Sequence, residues 1–463
     1  MRVRLICLIP LCACWAGPAQ EVLPETHPLT RPGSLSAQTA AGIGPFLMPE
    51  IEPSIGQRQQ YWRRDFSSVQ TYETSVQSNR ERLRRMIGAV DARLPVPALE
   101  FMGSPASPAK IAETESFTVQ VVRWPVFEGV FAEGLRLAPK GDPAACLVAI
   151  PDADQTPEML AGLAPGLAPE RQFARRLAEN GCEVLVPVLI DRQDTKSGNA
   201  RVNPFTCLPH REWICRQACP LGRHVIGYEV QKVQAAVDWF ERQSARNPQP
   251  ATRSARIGVA GYAEGGLLAF YAAALDRRIE AALVSSYFDS RQRLWEEPIY
   301  RNVFGLLREF GDAEIASLIA PRALIVEHSP APKVDGPPPP REGRTGAAPG
   351  RLKTPDYEPD YESVEAEFER ARALLKPGKA KDFDRFKLIT AAEGMTTGPG
   401  SDRALTALLD ALGVPVRKLK QPGPPPADSR GAFDPGARQQ RQIKELEDYT
   451  QKLLRGTISE PPR

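Results

Sequence analysis

The segment Arg256-Ile257-Gly258-Val259-Ala260-Gly261-Tyr262-Ala263-Glu264-Gly265-Gly266 decides how this chain is read. A short β-compatible run enters it, and an apolar helix over 267–275 leaves it. Glycines at 261, 265 and 266 flank the turn between them. Side chains at such positions would collide with neighbouring backbone, which is why glycine is required there. The residue at the centre of a turn this tight is held in strained geometry, with its side chain at the top edge of a sheet. Outward from the turn, strands and helices alternate over residues 117–415, the signature of a mostly parallel central sheet flanked by helices. Residues 117–124 and 130–137 read as an antiparallel opening pair. Further strands are expected over 145–150, 182–190, 256–260, 278–285, 322–327 and 386–390. Helices are expected over 173–180, 228–242, 267–275, 299–310 and 402–412.

Gly261-Tyr262-Ala263-Glu264-Gly265 has the form of a nucleophile elbow, G-x-S-x-G, with alanine in place of serine. Three other segments agree with it in order: Ile150-Pro151-Asp152-Ala153, then Gly222-Arg223-His224-Val225-Ile226-Gly227, then Ile319-Ala320-Pro321-Arg322. On these residues the chain resembles the α/β-hydrolase superfamily, in its branch of secreted acetyl xylan esterase-like and dienelactone hydrolase-like proteins. The resemblance implies an α/β-hydrolase fold over residues 117–415. It also implies an oxyanion-hole loop at Asp152, Ala153 and Asp154, the nucleophile position at Ala263, and a triad acid at Glu327.

The chain departs from the family where the chemistry belongs. Ala263 has no oxygen with which to attack an acyl carbon. The triad runs serine, acid, histidine along the chain, so the base belongs in 391–398, after the last strand. No histidine follows His328; the others are His27, His210 and His224. A serine hydrolase needs a base to take the nucleophile's proton and an acid to orient that base. Nucleophile and base are both missing, and the triad reads as lost.

Asp152, Asp154, Glu264 and Glu327 all belong to loops expected at one end of the sheet. Gathered in one pocket, they would raise one another's pKa values and offer acid–base chemistry. As solvated loop residues, they would instead pair with arginines such as Arg223 or Arg301. Ser285 and Ser286 read as packing and loop residues. The glycine run lacks both the G-x-G-x-x-G spacing and the K-[ST] of nucleotide loops.

The 463 residues are 42% hydrophobic and 25% charged, which excludes wholesale disorder, and a net charge of +3 gives no footprint for nucleic acid. Forty-six prolines, about twice the usual frequency of roughly 5%, mark loops and linkers. Arg2 and Arg4 before an apolar run, then Gly17-Pro18-Ala19, read as a signal peptide over 1–19 cleaved before Gln20. Leu11-Cys12-Ala13-Cys14 approximates a lipobox, with Cys14 as an alternative lipid-carrying terminus. Either way the protein is expected to be exported, with no transmembrane segment after processing. Residues 20–55 read as an irregular leader and 56–116 as a helical extension. Residues 329–358 read as an inserted loop, and 416–463 as a Pro-rich linker and a helix carrying Ile443, Leu446, Tyr449 and Leu453 on a solvated surface.

Five cysteines remain after processing. Cys146 and Cys182 read as small buried hydrophobes, and Cys207, Cys215 and Cys219 as a group able to form one disulfide. The spacing of that group with His210 lacks the paired C-x2-C of zinc sites. Neither metal nor cofactor is implied.

The leading expectation is an impaired esterase-like protein that binds a carbohydrate or small acyl-ester ligand or acts as a scaffold. The alternatives are an active hydrolase using carboxylates and a cell-envelope interaction protein working through its terminal segments.

Overall fold

The computed structural model describes residues 25–459, except 28–29, 31, 105–107, 199–205, 247–255, 353–360, 415, 417 and 432. The signal peptide and Cys14 lie outside the described residues. The chain divides into two compact units, Met1–Ile51 and Glu52–Arg463.

The leader is not irregular throughout. Helix α1, Leu35–Gln57, runs through it. Its prolines, 45, 49 and 53, fall at four-residue spacing, so the missing amide donors line one face and the rest of the ladder is continuous.

In the second unit, α2 (Val69–Ser75) and α3 (Gln77–Met86) supply the expected helical extension. The extension is not wholly helical. Strands β1 (Glu100–Phe101) and β2 (Lys110–Glu113) both pair antiparallel with β3 (Phe117–Phe127). Their pairing with a long neighbour, rather than any propensity of their own, makes them strands.

The sheet continues through β4 (Val130–Pro139), β5 (Cys146–Ile150), β6 (Glu183–Pro187), β7 (Ile257–Tyr262), β8 (Ile279–Ser285), β9 (Ala323–Glu327) and β10 (Phe386–Ile389). Its order is β1-β3-β4-β6-β5-β7-β8-β9-β10, parallel from β6 to β10 and antiparallel on the β3–β4 side. β5 to β9 contain almost nothing but buried apolar residues, as strands covered on both faces must.

Between the strands lie α4 (Pro157–Ala161), α5 (Phe173–Glu179), α6 (His210–Ala218), α7 (Val225–Arg246), α8 (Glu264–Leu275), α9 (Leu306–Glu309) and α10 (Asp312–Ile319). Then come α11 (Tyr361–Leu375), α12 (Ala380–Phe383), α13 (Asp402–Ala411) and α14 (Pro435–Ser459). The single helix expected over 299–310 is broken. Gly305, at φ 76°, and Gly311 divide that stretch, and the longer helix is α10 beyond them.

Two apolar clusters cover the sheet faces. One contains side chains of α7, α8 and α10, the other side chains of α5 and α13. The C-terminal helix corrects a further expectation, since it is not a solvated surface element. Ile443 and Leu446 are buried in the first cluster, and the Tyr449 ring stacks on Phe127 at 5.1 Å. The five cysteines are all unpaired, so the expected disulfide does not form; Cys215 Sγ lies 3.3 Å from His224 Nε2 instead. No helix among the described residues is long and apolar enough to cross a membrane.

Candidate functional site

β7 ends at Tyr262 and α8 begins at Glu264, leaving Ala263 as the hinge between them. Ala263 has φ 51° and ψ −108°, and its amide donates to the Ser285 carbonyl at 2.9 Å. Positive φ is unusual for a residue with a Cβ, so the backbone is strained here as the turn's sequence implied. The flanking glycines are steric necessities. A Cβ on Gly261 would stand 2.0 Å from the Gly265 carbonyl oxygen, and one on Gly265 would stand 2.1 Å from the Ile150 carbonyl oxygen. Gly266 meets the Ser285 carbonyl in the same way. The elbow is thus built in full around a methyl group, which is completely buried.

In a working elbow, the amide after the nucleophile stabilises the oxyanion together with an amide from the loop after β5. Here the Glu264 amide donates to Asp152 Oδ1 at 3.2 Å. The loop amides are engaged as well. Asp152 N–H donates to Gln155 Oε1 at 3.2 Å, and Asp154 N–H to Asp152 Oδ2 at 3.4 Å. Arg192 grips the Asp152 carboxylate with two bonds of 2.6 and 2.8 Å. Burial opposes the charge on Asp152, but Arg192 outweighs it and brings the pKa to about 2. The amide that an elbow of this form offers to an oxyanion is thus bonded to the chain's own carboxylate.

Arg192 also reaches Asp154 at 2.8 Å and Glu264 at 3.2 Å, while Tyr300 accepts from its Nε at 3.0 Å. Glu264 is fully buried and accepts from Arg301 at 2.7 Å. Burial pushes its pKa up, but Arg301, Arg211 and Arg192 together hold it below the usual carboxylate range. The structure thus brings Asp152, Asp154 and Glu264 together, as the loops implied, but with arginines between them. Asp152 and Glu264 have lowered pKa values, the opposite of what mutual repulsion would produce. Arg301 is a partner as expected. Arg223 is not, since it pairs with Asp91 at 2.8 Å. Ala153 is buried in the same loop and brings no functional group to it.

Glu327 ends β9 and makes its bonds elsewhere. It accepts from Ser285 Oγ at 2.7 Å, from the Gly400 amide at 2.8 Å and from the Ser401 amide at 2.8 Å. A Cβ on Gly398 would lie 2.5 Å from its carboxyl carbon. The loop that follows β10 therefore closes on Glu327 with backbone, and its amides donate to the carboxylate. The histidines are committed elsewhere. His210 holds Asp191 through Nδ1 at 2.5 Å and accepts the Lys196 amide on Nε2 at 2.8 Å. His224 Nδ1 accepts the Ile226 amide at 3.2 Å. The His328 ring meets Tyr361 edge-on at 5.4 Å.

Arg192 is the residue of this cluster that the sequence reading missed. Its one signal is position, two residues beyond the strand-like run that ends at Ile190. Ser285, read as a packing residue, proves to be a hydrogen-bond donor to the acid.

Strand order and the strained turn between β7 and α8 define a protein of the α/β-hydrolase fold, with alanine at the centre of the turn. No family profile matches the chain. It is similar to YtaP of Bacillus subtilis (strain 168), a protein provisionally named as a hydrolase, at 33% identity over 134 residues. That match takes in 26% of this chain and 43% of the relative, so less than half of the relative's length is spanned. Among solved structures, the chain is similar to a provisionally named acetyl xylan esterase of Bacteroides fragilis NCTC 9343, at 17% identity and a TM-score of 0.46, covering 73% of this chain and 79% of that one. Methylesterase BT1017 matches at 15% identity and a TM-score of 0.46, covering 85% and 78%. A glucuronoyl esterase from Solibacter usitatus matches at 13% identity and a TM-score of 0.43, covering 73% and 93%.

Proposed function

We propose that this protein is an exported, non-hydrolytic α/β-hydrolase-fold protein that binds a carbohydrate or small acyl-ester ligand without cleaving it. The observation that carries the reading is the Asp152 carboxylate on the Glu264 amide, 3.2 Å away. Oxyanion stabilisation is commonly the largest single contribution to acyl transfer, and loss of one donor costs roughly 10²–10³ in rate. Here that donor is filled from within, the nucleophile is a methyl group, and the acid is bonded to loop amides. Export rests on the Arg-flanked apolar run and the small residues after it.

The test of catalysis is turnover of an aryl acetate by the unmodified protein and by Ala263→Ser at equal folded concentration. Both should match a Glu327→Ala control, because a serine hydroxyl without a base is a poor nucleophile near neutral pH. Saturable hydrolysis by the unmodified protein that disappears with Glu327→Ala would overturn the reading. Intact mass of the protein from its native host tests export, with a start at Gln20 or Cys14 expected and an unprocessed Met1 form counting against it.

A further inference from the structure

We infer that the ligand site lies beside the elbow, at the ends of β8 and β9, and that it takes a neutral polyhydroxylated ligand in preference to one carrying a carboxylate. This rests on the ligand-binding reading above. Ala263 borders neither of two cavities on this protein. The first of them, of about 380 Å³, opens next to Ser286, Glu327 and His328 and is closed on another side by Ala331, Pro332 and Leu352. Its volume falls near the small end of the range for small-molecule sites, roughly 300–1,000 Å³, and suits one or two sugar rings.

Ser286 is the first reason to place a ligand there. It directly follows β8 and has φ 58°, positive like the φ 51° of Ala263 after β7. Its hydroxyl is buried and has no hydrogen-bond partner among the described residues. An unmet buried hydroxyl is costly, and a ligand hydroxyl would satisfy it once the residues that cover it give way. Tyr287, Phe288 and Val364 add apolar surface to the same cavity, against which the C–H face of a sugar ring can pack.

The charges of the lining decide the ligand class. Among the described residues, four arginines (291, 293, 301 and 351) face five carboxylates (289, 296, 297, 327 and 335), an excess of one negative charge. Three of the arginines are held in ion pairs. Arg291 pairs with Asp312 at 3.0 Å, Arg293 with Glu296 at 2.7 Å, and Arg301 with Glu264 at 2.7 Å. A carboxylate ligand would meet like charge and would have to break an existing pair to gain Arg291, Arg293 or Arg301. Sugar hydroxyls, which donate and accept, can bond to paired carboxylates and guanidinium groups without disturbing them.

The experiment compares methyl glucoside, methyl xyloside and methyl glucuronoside by calorimetry on the full chain. The neutral glycosides should bind at least about tenfold more tightly than the glucuronoside, and Ser286→Ala should weaken them by about tenfold while leaving the melting temperature within a few degrees. Asp335→Lys reverses a charge on a side chain that is 64% exposed, and should tighten the glucuronoside and narrow its gap to the neutral glycosides. Tighter binding of the glucuronoside by the unmodified protein overturns the neutral-ligand inference and leaves ligand binding standing. Sugar binding that is indifferent to both substitutions overturns the placement of the site. Binding of none of the three overturns this inference and the ligand-binding reading together.

Discussion

Asp152 stands where the elbow meets the loop after β5. Its carboxylate both accepts the Glu264 amide and pairs with a buried arginine, so its loss acts on stability. Asp152→Asn leaves Arg192, which is 9% exposed, without its bidentate partner. Arg192 keeps Asp154 and Glu264, so the loss is that of charge-assisted hydrogen bonds, about 1.5–3 kcal/mol, and urea unfolding should show it with an unchanged slope. A loss below about 1 kcal/mol would mean that the cluster is not a stability element. His224 gives a pH-dependent counterpart. Burial lowers its pKa from 6.5 to about 4, so the folded protein holds it neutral where the unfolded chain would take up a proton. Its contribution is fully present above pH 6.5 and is lost as the pH falls toward 4, to a total of about 3 kcal/mol at roughly 1.4 kcal/mol per pKa unit. Stability measured across that window should fall less steeply in His224→Gln than in the unmodified protein. Of these residues, Ala263 and Glu327 were legible because motif and strand order place them. The pairing of Asp152 with Arg192 was not, because nothing local in residues 152 or 192 says that two strand ends meet.

At the scale of elements, the elbow and the loop after β10 are both fixed by close backbone contacts. The glycines that permit the elbow could be read directly, since their reason is steric and local. The fate of the acid could not, because it depends on where the backbone of residues 398–401 passes. Glu327 caps the amides of Gly400 and Ser401 just before α13, whose own N-cap is the Ser401 side chain. Glu327→Ala removes three accepted hydrogen bonds at once, and hydrogen exchange at the amides of 400 and 401 should accelerate well beyond that of β7. Unchanged protection at those amides would show that the loop holds itself. The C-terminal helix was misread for a related reason. Ile443, Leu446 and Tyr449 have the same spacing whether a helix floats or docks. Its polar residues looked solvated only because their partners lie hundreds of positions away, Glu158 for Arg438 and Glu133 for Arg441.

For the molecule as a whole, the docked helix means that the core is not closed without residues of α14. A chain stopped after Asp434 uncovers part of the first apolar cluster, where Ile443 and Leu446 are 2% and 0% exposed. Full burial of such side chains stabilises by about 1.5–3 kcal/mol each. The truncation also strips Glu158 of the Arg438 fork, with bonds of 3.0 and 2.8 Å, and leaves it only the longer 3.4 Å contact to Arg430. Glu158 is 2% exposed, so losing that fork carries much of the cost of a half-broken buried pair, about 3–5 kcal/mol. Buried Lys232 loses Gln442, and the Tyr228 hydroxyl loses Thr450. Set against a typical total stability of about 5–15 kcal/mol, these losses are too large for the rest to absorb. The truncated chain should therefore lack a cooperative thermal transition and be cut readily by protease. Leu446→Ala in the full chain should keep the transition and lose about 2–5 kcal/mol. A truncated protein that melts cooperatively within a few degrees of the full chain would show that the helix is an appendage, and a role in binding partners would then return to it.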